Sequence, residues 1–532
     1  MNKTNTLYQD VSAYRDRKTA IYFRKRKISF EELNRRIDVM AVKFHSLGIR
    51  KDSVVSLLSP NVPEAVVSLY ALSKIGAIVT ILHPLLPVKS LSESIQETHS
   101  SFTILCDIRY RTYLEELRSV RQTILFITPE TDLSFFERVG FRKKYKKELS
   151  LVDKSRVIKS TDRLSETEEQ VSFMENTDNR KVSCYLRSGG TTGRSKTVIL
   201  NDSAIRYAGI QSSNILGRDV GDLSMIGVLP MFHGYGLAMG IHAPLMNHTS
   251  CYLMLRFDIP EIVKGINRNQ INLLVGVPYM MEKLLADRRF RNAKLENLYM
   301  TFVGADRPKE NLIRDFDSLM KSHDSVNRLY EGYGLTEIVT VGIVNSVKDH
   351  KPNSVGKPIG DIHVCIVNPE NRNEELPVGQ DGEILISGES CCLGYLGADE
   401  RHQPFFEKNG IRYVCTGDIG HLDKDGFLFF RNREKDLIKI AGYNVFPADI
   451  EALAEEVHGV VDAAAIYIPG NHPYIHLYIE NHAMEDDVLA KAVMKHLKEN
   501  LIRYSLPEKV TCLPHFPRTN IGKIDRRALI HF

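Results

Sequence analysis

The feature that most constrains this chain is a recurring alternation of short apolar runs with helical stretches. Val54–Leu58 is followed by Pro60, a helical stretch from Glu64 to Lys74, and a second apolar run at Ala77–Leu82. The rhythm returns at Ile104–Cys106, Ile124–Ile127, Met225–Leu229, Ile271–Val275 and Leu298–Val303. Parallel strands covered by helices on both faces read this way, because neither face of the strand meets water. Periodicity alone does not separate a four-residue strand from a piece of core helix. The repeated strand–helix–strand order nevertheless points to an α/β class.

At 532 residues the chain exceeds what one hydrophobic core supports, so at least two domains are expected. After about residue 355 the texture changes. Ile362–Val367, Gly382–Ser387, Arg412–Cys415 and Phe427–Phe430 are short segments separated by Pro, Gly, Asn and Asp, with a turn signal at Asp423-Lys424-Asp425-Gly426. A β-rich subdomain over about 355–432 follows. The charged segment Asn432–Asp436 then precedes a new apolar strand, Leu437–Ile440, and a domain boundary is placed there. The expected organisation is a large N-terminal domain, 1–433, of layered α/β subdomains plus the β-rich subdomain, and a small α+β C-terminal domain, 434–532. Its helices are expected near Asp449–Val457 and Asp487–Tyr504, and its strands near Ala463–Ile468 and Ile475–Ile479.

Composition excludes several classes. With 43% hydrophobic and 26% charged residues, disorder, collagen and coiled coil are disfavoured. A formal charge of +4 is too weak to imply a nucleic-acid partner. The densest basic run, Arg142-Lys143-Lys144-Tyr145-Lys146-Lys147, is read as a solvated face in preference to a nucleic-acid or anionic-lipid patch. None of the eight Cys forms a CxxC pair or zinc spacing, so reduced, mostly buried thiols are expected. Met1–Asp16 lacks the apolar core of a secretory signal. Ala65–Leu86, broken by Ser73, Lys74, Gly76, His83 and Pro84, reads as a buried helix, strand and turn; no transmembrane segment and a cytoplasmic location are expected.

The sharpest local feature is Ser188-Gly189-Gly190-Thr191-Thr192-Gly193-Arg194-Ser195-Lys196, which follows the expected strand Val182–Leu186. Three glycines allow a tight turn that presents backbone N–H groups, and hydroxyls with a lysine complete a cradle for a polyphosphate. It is not a Walker loop, since no Gly directly precedes Lys196.

Further segments accompany it in order: Gly304-Ala305, Tyr333-Gly334-Leu335-Thr336-Glu337, Gly382-Glu383 to Gly388, Gly394-Tyr395, and Tyr413-Val414-Cys415-Thr416-Gly417-Asp418. Asn432-Arg433-Glu434-Lys435-Asp436-Leu437-Ile438-Lys439, Gly442 and Pro517-Arg518-Thr519-Asn520-Ile521-Gly522-Lys523-Ile524-Asp525-Arg526 complete the set. Together they resemble the motifs of the acyl-adenylate-forming superfamily: acyl-CoA and aryl-CoA synthetases, beetle luciferases and peptide-synthetase adenylation domains. Each match is modest alone; the ordered conjunction over residues 188–526 is specific.

The resemblance implies an AMP-forming acid–thiol ligase that uses ATP and Mg²⁺ to make an acyl-AMP, releasing pyrophosphate. It implies that Ser188, Gly189, Gly190, Thr191, Thr192, Gly193 and Lys196 hold the β- and γ-phosphates. Tyr333 and Gly334 would pack on the adenine, with Gly304 and Ala305 lining its other side. Thr336 would bond the α-phosphate, Glu337 would hold Mg²⁺, and Asp418 with Arg433 nearby would take the ribose hydroxyls. Lys523 would bridge the α-phosphate and the substrate carboxylate, offsetting charge where it develops. Lys435 is implied as the hinge of a mobile small domain, whose second pose would bring Gly442 to the active site and carry Lys523 away. Departures are few: Ser195 and Thr197 stand where Pro and Gly are usual. Asn432 replaces a Gly, a swap eased by the tolerance of Asn for left-handed backbone.

Met231-Phe232-His233-Gly234-Tyr235-Gly236-Leu237 resembles the acid-pocket block of the acyl- and aryl-CoA ligase branch, where His233 would lie near the carboxylate. Val303, Gly304, Glu331, Gly332 and Gly334 are expected in the remaining walls. A fatty or aryl acid is therefore expected, with coenzyme A as acceptor. The alternatives are a separate carrier protein bearing phosphopantetheine and, less favoured, an amino acid substrate, since Phe257-Asp258 only echoes the amine-binding pattern.

Overall fold

The computed structural model describes residues 4–119, 122–164, 173, 178–188, 196–217, 220–339, 341–433, 438–440, 443–445, 447–469, 474–482, 485–501, 503–519 and 524–532. The chain divides into two compact units, Met1–His363 with Ile386–Val414, and Val364–Leu385 with Cys415–Phe532.

In the first unit, β1 (Thr19–Phe23) and β2 (Arg26–Ser29) form a hairpin. Then come β3 (Val54–Leu58), β4 (Ile78–Leu82), β5 (Phe102–Cys106) and β6 (Thr123–Ile127), followed by β7 (Val182–Arg187) and β8 (Thr197–Asn201). A second run supplies β9 (Ser224–Gly227), β10 (Ser250–Leu253), β11 (Leu273–Gly276), β12 (Met300–Val303) and β13 (Leu329–Tyr333). All the apolar runs read as strands in this part of the sequence are strands, displaced by at most two residues at either end. Their burial explains the missing polar alternation: β9, β11 and β12 have no exposed position.

Two sheets result. One runs β8-β7-β4-β3-β5-β6, with the two-residue strand Gly394–Tyr395 on the β8 edge; the other runs β13-β12-β11-β9-β10-β1-β2, continued past β13 by Ile343–Val344 and Lys357–Pro358. Within each, the consecutive pairs from β7 to β6 and from β13 to β1 are parallel. In the first sheet β3 connects to β4 on one side while β5 connects to β6 on the other. In the second, the same divergence falls between β9 and β11. A crevice opens outside the carboxyl ends of strands where connections part in this way, and ligands bind there.

One side chain ties the two crevices together. Asn61, three residues past the end of β3, is buried; its Nδ2 donates to the carbonyls of Gly227 (3.2 Å) and Leu229 (2.8 Å), and its Oδ1 accepts from the N–H of Met231 (3.0 Å). The loop leaving β9 is thus held on alternate residues by an amide of the other sheet. Its neighbour Pro63 opens the helix Pro63–Ile75, which is buried from Pro63 to Leu72 and stops at Gly76 in left-handed backbone (φ 80°). This is the buried helix expected in the apolar stretch after Ala65. No helix among the described residues is long and apolar enough to cross a membrane.

The second unit contains part of the region read as β-rich, Val364–Leu385 and the stretch from Cys415, the remainder (Ile386–Val414) belonging to the first unit, together with a three-stranded sheet of Val460–Ile468, Tyr474–Asn481 and Lys509–Leu513. The helices Pro447–Glu455 and Asp486–Asn500 bury Ile450, Ala454, Leu489 and Val493 with Leu477 and Ile479 of that sheet. The helix expected to reach Tyr504 stops at Asn500, because Leu501 takes extended backbone (φ −117°, ψ 150°). Two further readings are corrected. The run read as Arg412–Cys415 extends as one strand, Ile411–Leu422, and Asn432 and Arg433 belong to its antiparallel partner, Leu428–Arg433. Asn432 is not among the residues with positive φ, so left-handed tolerance is not what suits Asn to this position. The fold class is otherwise as read: a large N-terminal α/β part with mixed sheets and a smaller C-terminal α+β part.

Replacing Asn61 by Ala leaves two carbonyls and one N–H of the β9 loop without their partner. The expected loss is about 2–4 kcal/mol in urea denaturation, against under about 1 kcal/mol if solvent takes over the three bonds.

Candidate active site

The strands of the second sheet finish nearly flush. Gly276, Val303 and Glu331 are neighbours in register across β11, β12 and β13, and the N–H of Gly304 donates to Gly276 O (3.2 Å). Expected site residues follow directly. Gly304 is buried after β12, and Ala305 is exposed in left-handed backbone (φ 68°). Tyr333 ends β13, Gly334 comes next, and Thr336 and Glu337 begin a single 3₁₀ turn.

His233 sits on the loop that Asn61 holds, half-buried, its N–H donating to Pro230 O (3.1 Å) and its ring tilted against Phe232 (4.7 Å between centroids). The chain then winds into a π-helix, Tyr235–His242, a form that recurs at functional sites. Tyr235 leans over β12, with Oη 3.5 Å from Phe302 O, and a Cβ on Gly304 would lie 3.5 Å from its ring. Glycine at 304 therefore keeps the space between Tyr235 and the strand ends open.

Gly234 is required by a close approach. A Cβ there would fall 1.6 Å from the carbonyl oxygen of Val339. Val339 is itself strained, with φ 63° and ψ −53° on a buried β-branched residue directly after the turn that carries Glu337. Strain of this kind persists only where the surroundings over-determine it, and it concentrates at sites that bind or react.

Glu337 is buried and fixed. Its Oε1 accepts from the hydroxyl of Tyr395 (2.7 Å), and its backbone carbonyl accepts from Cys392 N–H (2.7 Å). Tyr395 is brought there by pairing with Val198 of β8, and its ring faces the ammonium of Lys196 at 4.3 Å. Lys196 and Ser188 close the base of their loop, Ser188 N–H donating to Lys196 O (2.8 Å) and Lys196 N–H to Ser188 Oγ (3.1 Å). Lys196, Tyr395 and Glu337 thus form one chain of contacts. Tyr395 was legible as part of a motif; its contact with Glu337 was not, since it depends on an edge strand of two residues. Glu337 is a buried carboxylate oriented through Oε1, and such a group suits Mg²⁺, which takes oxygen ligands.

Glu331, expected as a wall, is buried without a hydrogen bond to its carboxyl group among the described residues. Burial pushes that carboxyl up to about 7, and Arg307 offsets this only in part.

In the second unit, Asp418 is buried on the long strand Ile411–Leu422, beside Gly417 in left-handed backbone (φ 63°). Its N–H donates to Thr416 Oγ1 (3.0 Å), which in turn donates to Ile384 O (2.7 Å). Arg433 faces it across the strand pair, Nε 3.4 Å from Asp418 Oδ1. Gly189, Gly190, Thr191, Thr192, Gly193, Lys435, Gly442 and Lys523 lie outside the described residues.

A family model for AMP-binding enzymes matches residues 7–396. The chain belongs to the AMP-binding enzyme family. The resemblance to acyl-adenylate-forming enzymes is thereby shown, and with it the coarse activity: ATP-dependent activation of a carboxylic acid as its acyl-AMP. Curated relatives extend nearly end to end. A probable CoA ligase of Humulus lupulus is 27% identical over 95% of this chain and 88% of its own. A long-chain-fatty-acid–CoA ligase of Bacillus subtilis is 24% identical over 99% and 94%, and a 2-succinylbenzoate–CoA ligase of Listeria monocytogenes 26% over 96% of each. Among solved structures, ATP-bound MatB of Rhodopseudomonas palustris superposes with a TM-score of 0.84 at 22% identity, covering 99% of this chain and 98% of its own. An anthranilate CoA ligase bound to anthranoyl-AMP gives 0.81 at 19% identity, covering 100% and 98%. At these identities the structures speak for the fold alone.

Two measurements test this AMP-binding enzyme's site. Tyr395→Phe removes the bond that orients Glu337 and is expected to raise the Mg²⁺ needed for half-maximal ATP–pyrophosphate exchange about tenfold; an unchanged Mg²⁺ curve would dissociate Tyr395 from the metal. For Glu331, between the unfolded value near 4.5 and the folded value of about 7 only the unfolded chain loses its proton, so stability falls as pH rises through that window. Glu331→Gln abolishes this contribution, and its stability relative to the parent is expected to rise by about 3 kcal/mol between pH 4 and pH 8; a gap independent of pH would mean the carboxyl is solvated.

Proposed function

We propose that the chain activates an apolar monocarboxylic acid, fatty or aryl, and transfers it from acyl-AMP to the thiol of coenzyme A. The observation that carries the acid class is the crevice wall at the ends of β12 and β13. Val303, Gly304, Tyr235, Gly332 and the partly protonated Glu331 line it; among these residues Glu331 is the one charged side chain, and the cation acting on it, Arg307, is exposed, which favours an acid without a second carboxylate. The curated relatives, CoA ligases over nearly their full lengths, support coenzyme A as acceptor.

Residue roles in this reading follow the chemistry of each side chain. The acid's carboxylate is already a nucleophile, so no general base is needed, and the difficulty is repulsion between two anions. His233 lies near the carboxylate and orients it by hydrogen bonding. Lys523 places a cation between carboxylate and α-phosphate, and Thr336 donates its hydroxyl to that phosphate. Glu337 would hold Mg²⁺, which would supply positive charge to offset that developing on the phosphate oxygens. Ser188, Lys196 and the loop between them hold the leaving pyrophosphate; Tyr333, Gly334, Gly304 and Ala305 contact the adenine. Asp418 has the paired oxygens that a vicinal ribose diol requires, and Arg433 offsets its charge. Lys435 serves as the hinge at which residues 434–532 reorient, bringing Gly442 forward for thioester formation.

Pyrophosphate exchange across fatty, aryl and amino acids, followed by mass analysis with coenzyme A or a phosphopantetheinylated carrier as acceptor, tests substrate and acceptor together. Exchange with apolar acids and an acyl-CoA product is expected; selective exchange with amino acids, or acylation of the carrier alone, overturns the reading. Lys523→Ala is expected to lower acyl-AMP formation by at least about a hundredfold while sparing thioester formation from supplied acyl-AMP. Equal loss in both half-reactions would contradict the hinge.

A further inference from the structure

The helix Phe135–Lys144 has no buried residue. Phe135, Phe136 and Val139 are 72%, 85% and 54% exposed, and the two rings meet edge to face with centroids 5.6 Å apart. At about 100° per residue the three side chains share one arc of the helix surface, and Arg142 and Lys143 emerge from the same arc one turn later. The chain then turns at Tyr145 into Lys146–Leu149, adding Lys146 and Lys147. Glu130 pairs with Arg138 and Arg142, and Glu137 with Arg24. Lys143, Lys144, Lys146 and Lys147 are exposed and form no ion pair among the described residues. The result is an apolar tip beside four lysines outside any ion pair among the described residues, with Glu148 the one acidic side chain between Lys143 and Leu149.

That combination narrows the occupant. A second copy meeting this face about a two-fold axis would set the same four lysines against one another. A nucleic acid would answer the charge but leave Val139 and the paired rings without an apolar partner. An anionic bilayer surface answers both, taking rings at the acyl boundary and ammonium groups among the headgroups. We propose that the segment 135–147 docks this protein on anionic phospholipid membranes, with Phe135 and Phe136 inserted at the interface and Lys143, Lys144, Lys146 and Lys147 at headgroup level. The basic run read from the sequence as a solvated face thus gains a ligand, and the argument is independent of the substrate assigned above.

Sedimentation of the full chain with vesicles of phosphatidylcholine alone, and of phosphatidylcholine mixed with phosphatidylserine, tests this. Binding is expected only to the mixed vesicles and weakens as salt rises. Phe135→Ser combined with Phe136→Ser is expected to lower partitioning about tenfold or more, and reversing the four lysines to Glu about a hundredfold or more. These side chains are exposed, so thermal midpoints are expected to match the parent and certify folding. Equal binding by parent and both variants, or no binding to the mixed vesicles, overturns the proposal. Loss with the lysine variant but not the phenylalanine variant also overturns it, since the contact would then be charge alone.

Discussion

The three hydrogen bonds of Asn61 set the geometry on which the first unit depends. Each parallel sheet opens a crevice where its connections diverge, but a crevice in one sheet is only a shallow edge. By fixing Gly227, Leu229 and Met231 from the end of β3, Asn61 draws the β9 loop into a fixed path. His233, Gly234 and the π-helix take their places from that path. A buried amide that satisfies two carbonyls and an N–H costs little to bury and a great deal to remove.

Around this loop the chain is held tighter than ordinary packing requires. The carbonyl of Val339 occupies the space where a side chain on Gly234 would sit, and the strained backbone at Val339 follows from the turn that presents Glu337. Tyr395 then fixes the carboxylate itself. The donor lies 58 residues from the acidic side chain and reaches it from an edge strand only two residues long. Preorganisation of this kind places charge before substrate arrives, which is how an enzyme avoids reorganising its own dipoles during reaction.

Much of this was legible in the sequence. Buried parallel strands declare themselves as short apolar runs between helices, so β3, β4, β9, β11 and β12 were readable. Ordered motifs singled out Ser188, Lys196, Tyr333–Glu337 and Asp418, and the structure shows the strand ends and turns that carry them. What the sequence concealed depends on tertiary pairing. Nothing local marks Asn61 as more than a polar residue before a proline, and nothing marks the winding of Tyr235–His242. Asn432 and Arg433 looked like a charged linker because alternation in a half-exposed strand resembles a polar loop. The exposure of Phe135 and Phe136 was equally hidden, since an aromatic pair on a helix ordinarily packs inward.

The span of the Asn61 contacts has a consequence for how the chain matures. Its partners lie 166, 168 and 170 residues further along. On a chain made from the N-terminus, β3 and its buried helix emerge long before the loop they anchor, and the Asn61 amide stays hydrated until that loop arrives. Contacts of such separation close slowly because the intervening loop must first be ordered. Docking of the β9 loop on Asn61 is therefore a late step, which joins two sheets whose strands come from successive parts of the chain.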